Sequence, residues 1–176
     1  MTEQVQYLLT LSRAEQASPT NLDLVDTTRT AYGAVDTLTE LYADVEATVT
    51  VDPLPAVLAQ DIPLQSVFAN LLTNAVRYRD PARPLEVHIR ASHENEHVNI
   101  EVADNAAGIS AEAQERIFGL FERDSTDGDG LGVGLAVSRR ILEGFGASIS
   151  VSSTSEGSTF SLRFPRPGSQ RNGLAS

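Results

Sequence analysis

No cysteine occurs among the 176 residues, which excludes disulfides and thiolate metal ligands and accords with a cytoplasmic setting. Basic residues are scarce: 13 Lys and Arg stand against 24 Asp and Glu, for a formal charge of -11. No block of them offers an electrostatic footprint for DNA or RNA, so nucleic acid is not an expected partner. Long apolar runs are also missing, since nowhere do about eighteen apolar residues follow one another. The opening MTEQVQYLLTLSRAEQ sets no basic region before its short apolar run. Neither direct membrane insertion nor an export signal is expected, although a parent protein can be attached to a membrane elsewhere. No internal repeat is visible. The length suits one domain with a sizeable core and a small helical appendage.

What is present is a pattern whose period changes halfway along. Residues 5–17 read as a short helix with Val5, Leu8 and Leu9 on one face, ended by Ser18 and Pro19. Across residues 23–46, Leu24, Ala31, Val35, Leu38, Tyr42 and Val45 recur at helical spacings and predict a second amphipathic helix. ATVTV alternates like a strand. After the proline-rich DPLPAVLAQD, Asp61 is a candidate cap and Pro63 a first-turn residue of a helix reaching about Arg79. DPARP is then loop.

From Leu85 the period is two. Residues 85–91 and 97–104 form a predicted hairpin around HENE, each strand packing one face. Ser110 caps a short predicted helix to about Phe118, and a longer one runs from Gly134 to about Phe145, ended by Gly146. ASISVSS and STFSLRFP are two further strands with a turn near Glu156 and Gly157, and residues 167–176 read as a disordered tail. The sum is an α+β two-layer sandwich with a mixed, mostly antiparallel sheet and a short N-terminal helical extension.

Three segments look odd for a plain core. NLLTNAVRYR sets Asn70 and Asn74 four residues apart on one helix face, with Arg77 and Tyr78 a turn beyond Asn74. Asn is a mediocre helix former, but its carboxamide oxygen is a hard neutral ligand suited to Mg²⁺, and Arg77 could meet phosphate. VADNAAGI ends a strand on Asp104, where a carboxylate can accept from an exocyclic amine such as adenine N6. Finally, GDGLGVGLAVSRRIL alternates Gly130, Gly132 and Gly134 before a helix, an arrangement that lets phosphate approach backbone amides at a positive dipole end. No Gly-Lys-Ser/Thr follows, so this is not a Walker loop. Each segment alone also fits a bland role: solvated Asn side chains, an ordinary Asp-Asn turn, a mobile linker.

In their order and spacing the segments resemble the catalytic ATP-binding domain of two-component sensor histidine kinases, in the family that also holds gyrase, MutL and the heat-shock chaperone ATPases. The resemblance covers residues 21–165. NLLTNAVRY looks like the N box, DNAAGI like the first glycine box, IFGLFER like the Phe-containing box, GLGVGLAVSRRIL like the second glycine box, and EGSTFSLRFP like the closing strand. It implies a Bergerat-type sandwich, with residues 1–20 as the end of a dimerisation helix and linker and 21–166 as the catalytic domain. It implies Mg²⁺ on Asn74, Asn70 near the phosphates or metal, Arg77 on phosphate and Tyr78 bordering the nucleotide, with Asn70 and Arg77 stabilising charge in the transfer. Asp104 would read adenine N6, aided by Gly108 and its neighbour Ile109, and Thr159 would face the adenine side. Phe118 and Phe121 would anchor a lid spanning residues 122–131, closed over the triphosphate by Gly130, Gly132 and Gly134, with Leu131, Val133 and Leu135 among the contacting positions.

The sequence departs from the family at Ala106 and Ala107, where Gly and Pro are usual, and at Ser155; a methyl at Ala106 changes the turn if that position needs positive φ. The lid is acidic, with Asp124, Asp127 and Asp129 against Arg123. His88, His93 and His97 lie in the hairpin, so none reads as a phosphoacceptor or metal ligand. The expected activity is therefore transfer of the γ-phosphoryl of Mg-ATP to a His on a dimerisation domain outside this chain, with a response regulator downstream. A noncatalytic nucleotide-binding pseudokinase and a serine kinase of the anti-sigma type are the alternatives. One short helix buries little area, so the chain alone is expected to be a monomer.

Overall fold

The computed structural model describes residues 21–37, 43, 45–94, 96–119 and 133–167. The readings of a helix over 5–17, of the tail from 168 onward and of the lid, with Phe121, Gly130, Leu131 and Gly132, lie outside the described residues. The chain runs β1 (Asp23–Val25), α1 (Thr27–Thr37), β2 (Ala47–Val51), β3 (Val57–Ala59), α2 (Asp61–Arg77), β4 (Leu85–Glu94) and β5 (His97–Asp104). It continues through α3 (Ala111–Gln114), α4 (Gly134–Gly144), β6 (Ser148–Thr154) and β7 (Gly157–Pro165).

A five-stranded sheet has the order β2-β4-β5-β7-β6, and β1 pairs with β3 separately. Only the β2–β4 pairing of the larger sheet is parallel, so it is mixed and mostly antiparallel, as the strand pattern predicts. Alternation decides which face is covered. Val87 and Ile89 of β4, Ile100 and Val102 of β5, and Phe160, Leu162 and Phe164 of β7 are all buried. Helix α2 answers them with Leu64, Val67, Phe68, Leu71, Leu72, Ala75 and Val76, a stripe at spacings of three and four. Helix α4 adds Val137, Ile141 and Leu142. These side chains share one core cluster, with Phe68, Phe145 and Phe164 among the largest fully buried groups.

The second predicted helix is shorter than its apolar stripe. Residues 23–25 form β1 against β3, and the helix begins at Thr27 because Asp26 caps it: the Arg29 amide donates 3.1 Å to Asp26 Oδ1 and the Thr30 hydroxyl 3.0 Å to its carbonyl. Leu24, counted in that stripe, is 62% exposed. Strand β3 escaped the sequence because its three residues follow Pro53 and Pro55 and pair only with β1. Gln60, not Asp61, is the N-cap residue of α2, and the Asp61 carboxylate instead binds Thr30 Oγ1 and Arg29 Nη2 across to α1. Helix α2 ends at Arg77 rather than Arg79, and α3 at Gln114 rather than Phe118, although Ser110 caps it as expected through a 3.2 Å bond from the Ala113 amide.

These placements give two apolar side chains opposite settings. Phe68→Ala is expected to destabilise the fold by about 3–5 kcal/mol in urea titrations, since it empties a fully buried site. Leu24→Ala is expected to stay within about 0.5 kcal/mol. Equal costs would mean that Leu24 belongs to a buried helical stripe after all.

Candidate functional site

Asp104 closes β5 directly opposite Ser158 of β7. Its Oδ1 accepts the backbone amides of Ala106 at 3.0 Å and Ser158 at 3.2 Å. Burial nevertheless raises its pKa above the ordinary carboxylate value, because desolvation outweighs the two amides that favour the charge. Oδ2 has no hydrogen-bond partner among the described residues. The site thus offers a fixed, partly dried carboxylate oxygen, suited to an N–H donor.

The turn after Asp104 leaves no room for side chains at two glycines. Gly108 has φ 81°, and a Cβ there would lie 1.8 Å from the Thr154 carbonyl oxygen; at Gly157, with φ 148°, a Cβ would lie 2.0 Å from that of Asp104. The left-handed residue of the turn is therefore Gly108, while Ala106 is 3% exposed with its methyl in the core cluster. Asn105 turns to β4 instead of the site: Oδ1 accepts the Glu86 amide at 2.8 Å and Nδ2 donates 3.0 Å to the Pro84 carbonyl.

Two further sets of bonds bring the N-box helix to the other segments. The Ala107 amide donates 2.9 Å to the Tyr78 carbonyl, seating the end of α2 on the turn after Asp104. Asn70 Nδ2 donates 3.2 Å to the Gly134 carbonyl and 3.1 Å to Ser138 Oγ, which in turn donates 2.9 Å to the same carbonyl. So Asn70 is bound to the first turn of α4. Asn74, one turn on, is half-buried and its carboxamide makes no hydrogen bond among the described residues. Arg77 and Tyr78 are exposed, and Val133, Gly134 and Leu135 are half-buried at the start of α4. A free hard oxygen at Asn74 fits Mg²⁺, and the free Asp104 Oδ2 fits an adenine amine.

Thr159 follows Ser158 along β7. It pairs with Ala103, one residue out of phase with Asp104, so strand alternation turns it to the other face of the sheet. With Asp104, Ser153 and Ser158 it still lines one shallow hollow of about 250 Å³. Ser158 is the β7 residue on the Asp104 side, buried to 5% exposure, and its hydroxyl lies 2.9 Å from Ser153 Oγ. Ser153 Oγ also accepts the Ile109 amide at 2.8 Å and donates 2.9 Å to the Gly157 carbonyl. Neither serine stands out by residue type, although the phase of STFSLRFP, with Phe160, Leu162 and Phe164 inward, points to Ser158.

The histidines stand apart. His88 Nε2 is 3.0 Å from Asp52 Oδ2, and His97 Nδ1 is 3.3 Å from Arg163 Nη2. Among the described residues, no group of three His, Cys, Asp or Glu side chains could hold a metal ion, and no helix is long and apolar enough to cross a membrane.

The family described as histidine kinase-, DNA gyrase B- and HSP90-like ATPases matches residues 59–168. Cyanobacterial phytochrome A of Nostoc sp. is 36% identical over 141 residues, 78% of this chain and 18% of its own. A probable sensor histidine kinase, TcrY of Mycobacterium tuberculosis, is 31% identical over 175 residues, 97% of this chain and 36% of its own. Each match thus involves only part of a longer relative. Among solved structures, full-length ShkA in complex with AMPPNP aligns with a TM-score of 0.72 at 24% identity, over 93% of this chain and 36% of that one. The mycobacterial sensor histidine kinase MprB gives 0.69 at 23%, over 81% and 97%. At those identities the structures speak to the fold, and the family match speaks to descent: the chain belongs to the histidine kinase-, DNA gyrase B- and HSP90-like ATPases.

Proposed function

We propose that this domain binds Mg-ATP at Asp104 and the N-box helix and, within a longer parent protein, passes the γ-phosphoryl to a His on a dimerisation domain. The observation that carries the reading is the Asp104 carboxylate, one oxygen held by two backbone amides and the other left for a donor. Adenine N6 supplies such a donor, whereas guanine presents its O6 acceptor there and is repelled.

On this reading Asn74 holds the metal, which neutralises phosphate charge when bound, and Arg77 reaches the phosphates from its exposed position. Asn70 acts through the Gly134 carbonyl and Ser138, setting the first turn of α4 against α2, where the unpaired helix amides favour an anion. The transfer breaks the bond from γ-phosphorus to the β,γ-bridging oxygen and forms a phosphorus–nitrogen bond to the acceptor imidazole, with ADP as leaving group. A response-regulator aspartate is the acceptor in the next step. The named relatives include sensor kinases, and they favour neither the pseudokinase nor the anti-sigma-type serine kinase.

Thermal unfolding with and without a Mg-ATP analogue tests the site. At a hundredfold excess over Kd the ligand is expected to add about 2.7 kcal/mol, or roughly 5–11 °C for a domain of this size. Asn74→Ala is expected to lose the Mg²⁺-dependent part, and Asp104→Asn to lose the adenine preference. A full shift in Asp104→Asn would remove Asp104 from base recognition.

Without nucleotide, Asp104→Asn reports the desolvation directly. Since the folded pKa is raised, the wild type gains stability as pH falls through it and carries the burial cost of the charge above it. The neutral amide escapes that cost and can still accept from Ala106 and Ser158. The variant is thus expected to melt at or above the wild-type temperature at pH 7, its relative advantage shrinking toward pH 4. An advantage that grows on acidification would reverse the sign and contradict a raised pKa.

A further inference from the structure

Arg83 lies in the connection between α2 and β4, outside every segment assigned to the nucleotide. Its Nη2 donates 3.2 Å to the Ala106 carbonyl and 3.2 Å to the Glu156 carbonyl. Its Nε is 3.6 Å from Asp80 Oδ2, an ion pair too long to be a hydrogen bond. The two carbonyls sit on the two arms that supply Asp104 with donors. Ala106 gives its own amide to Asp104 Oδ1, and Glu156 enters the hairpin whose Ser158 amide reaches the same oxygen.

The β5–β7 ladder joins the two arms as far as the Asp104–Ser158 pair, and Arg83 joins them beyond it, from Ala106 to Glu156. Asn105 and Ala107 bind the turn to Pro84, Glu86 and Tyr78, none of them in the hairpin of β6 and β7. Ile109 and Gln114 join the turn to Ser153, but beyond Gly108 in the chain. A guanidinium is suited to the task because its planar fork can serve separate carbonyls without giving up its charge.

We propose that Arg83 is a positioning residue that determines base specificity: by joining Ala106 to Glu156 it holds the Asp104 carboxylate in the orientation that accepts a 6-amino purine and rejects a 6-oxo purine. Without the tie the turn past the Asp104–Ser158 pair loosens from the hairpin, the Ala106 amide leaves Oδ1, and a reoriented carboxylate can accept from the N1 and N2 donors of guanine. The inference rests on the reading of Asp104 as the group that meets the base. A side chain that only capped two carbonyls would lower stability and leave base choice untouched.

The test uses the full 176-residue chain. Calorimetric Kd values for Mg-ADP and Mg-GDP are compared in wild type, Arg83→Met and Arg83→Lys, alongside amide hydrogen exchange at Ala106 and Ser158 in nucleotide-free protein. Arg83→Met keeps the apolar stem and removes the donors; it is expected to lower the ADP-to-GDP affinity ratio about tenfold and to reduce protection at both amides, with Val102 unchanged. Arg83→Lys is expected to fall between. A ratio unchanged in both variants overturns the proposal, even if their melting temperatures drop. If the wild type itself shows no preference for ADP, the Asp104 reading fails and takes the specificity role with it; unchanged protection at Ala106 and Ser158 would then also dismiss Arg83 as the tie.

Discussion

A carboxylate drawn out of water at the end of β5 is the constraint around which this end of the sheet is arranged. Burial disfavours its charge, and the chain offsets that only in part, by aiming the Ala106 and Ser158 amides at one oxygen. Both donors are main-chain groups on separate segments. Their placement therefore requires the turn after β5 and the β6–β7 hairpin to approach within the reach of one side chain, which a Cβ at Gly108 or Gly157 would prevent. The backbone at this corner is crowded because a charge has to be held there.

The same economy joins the N-box helix to the rest. Tyr78 contributes its carbonyl to the Ala107 amide, and Asn70 contributes its amide nitrogen to Gly134 and Ser138. In sequence these segments lie far apart, and the core alone would fix their relative positions loosely. Polar bonds with directional geometry add what apolar packing lacks, a single register between α2, the turn and the start of α4. Asn74 then stands between two anchored points of one helix, with its own carboxamide uncommitted among the described residues.

How much of this was legible follows the range of the forces involved. Alternation in LEVHIRA and HVNIEVAD, and the stripe through LLTNAV, are local consequences of a buried face, so the strands and α2 could be read directly. Helix α1 was overextended because Leu24 happens to fall in phase with a helical stripe, while its actual partner across the ladder is Leu58. Asp104, Gly108 and the N-box residues were identified as candidates because their types are unusual for their settings. Ser158 was passed over, although the phase of the strand sets it opposite Asp104. The roles of Ser153, Asn105 and Arg83 were beyond local pattern, since each depends on a contact between segments about twenty or more residues apart.

The glycines show why residue type alone misleads about mechanism. The sequence singles out Gly134 for close approach by phosphate, yet a Cβ there would meet Asn70 only in ordinary van der Waals contact, 3.7 Å away. Gly157, which the sequence offers as a mere turn residue, is sterically obligatory. Among the described residues, glycine at 134 is thus not demanded by packing. Glycine at 157 is demanded by the carbonyl of Asp104, the residue whose charge the corner must hold. One glycine could carry a methyl against Asn70, and the other lets the protein close on itself; only the distances distinguish them.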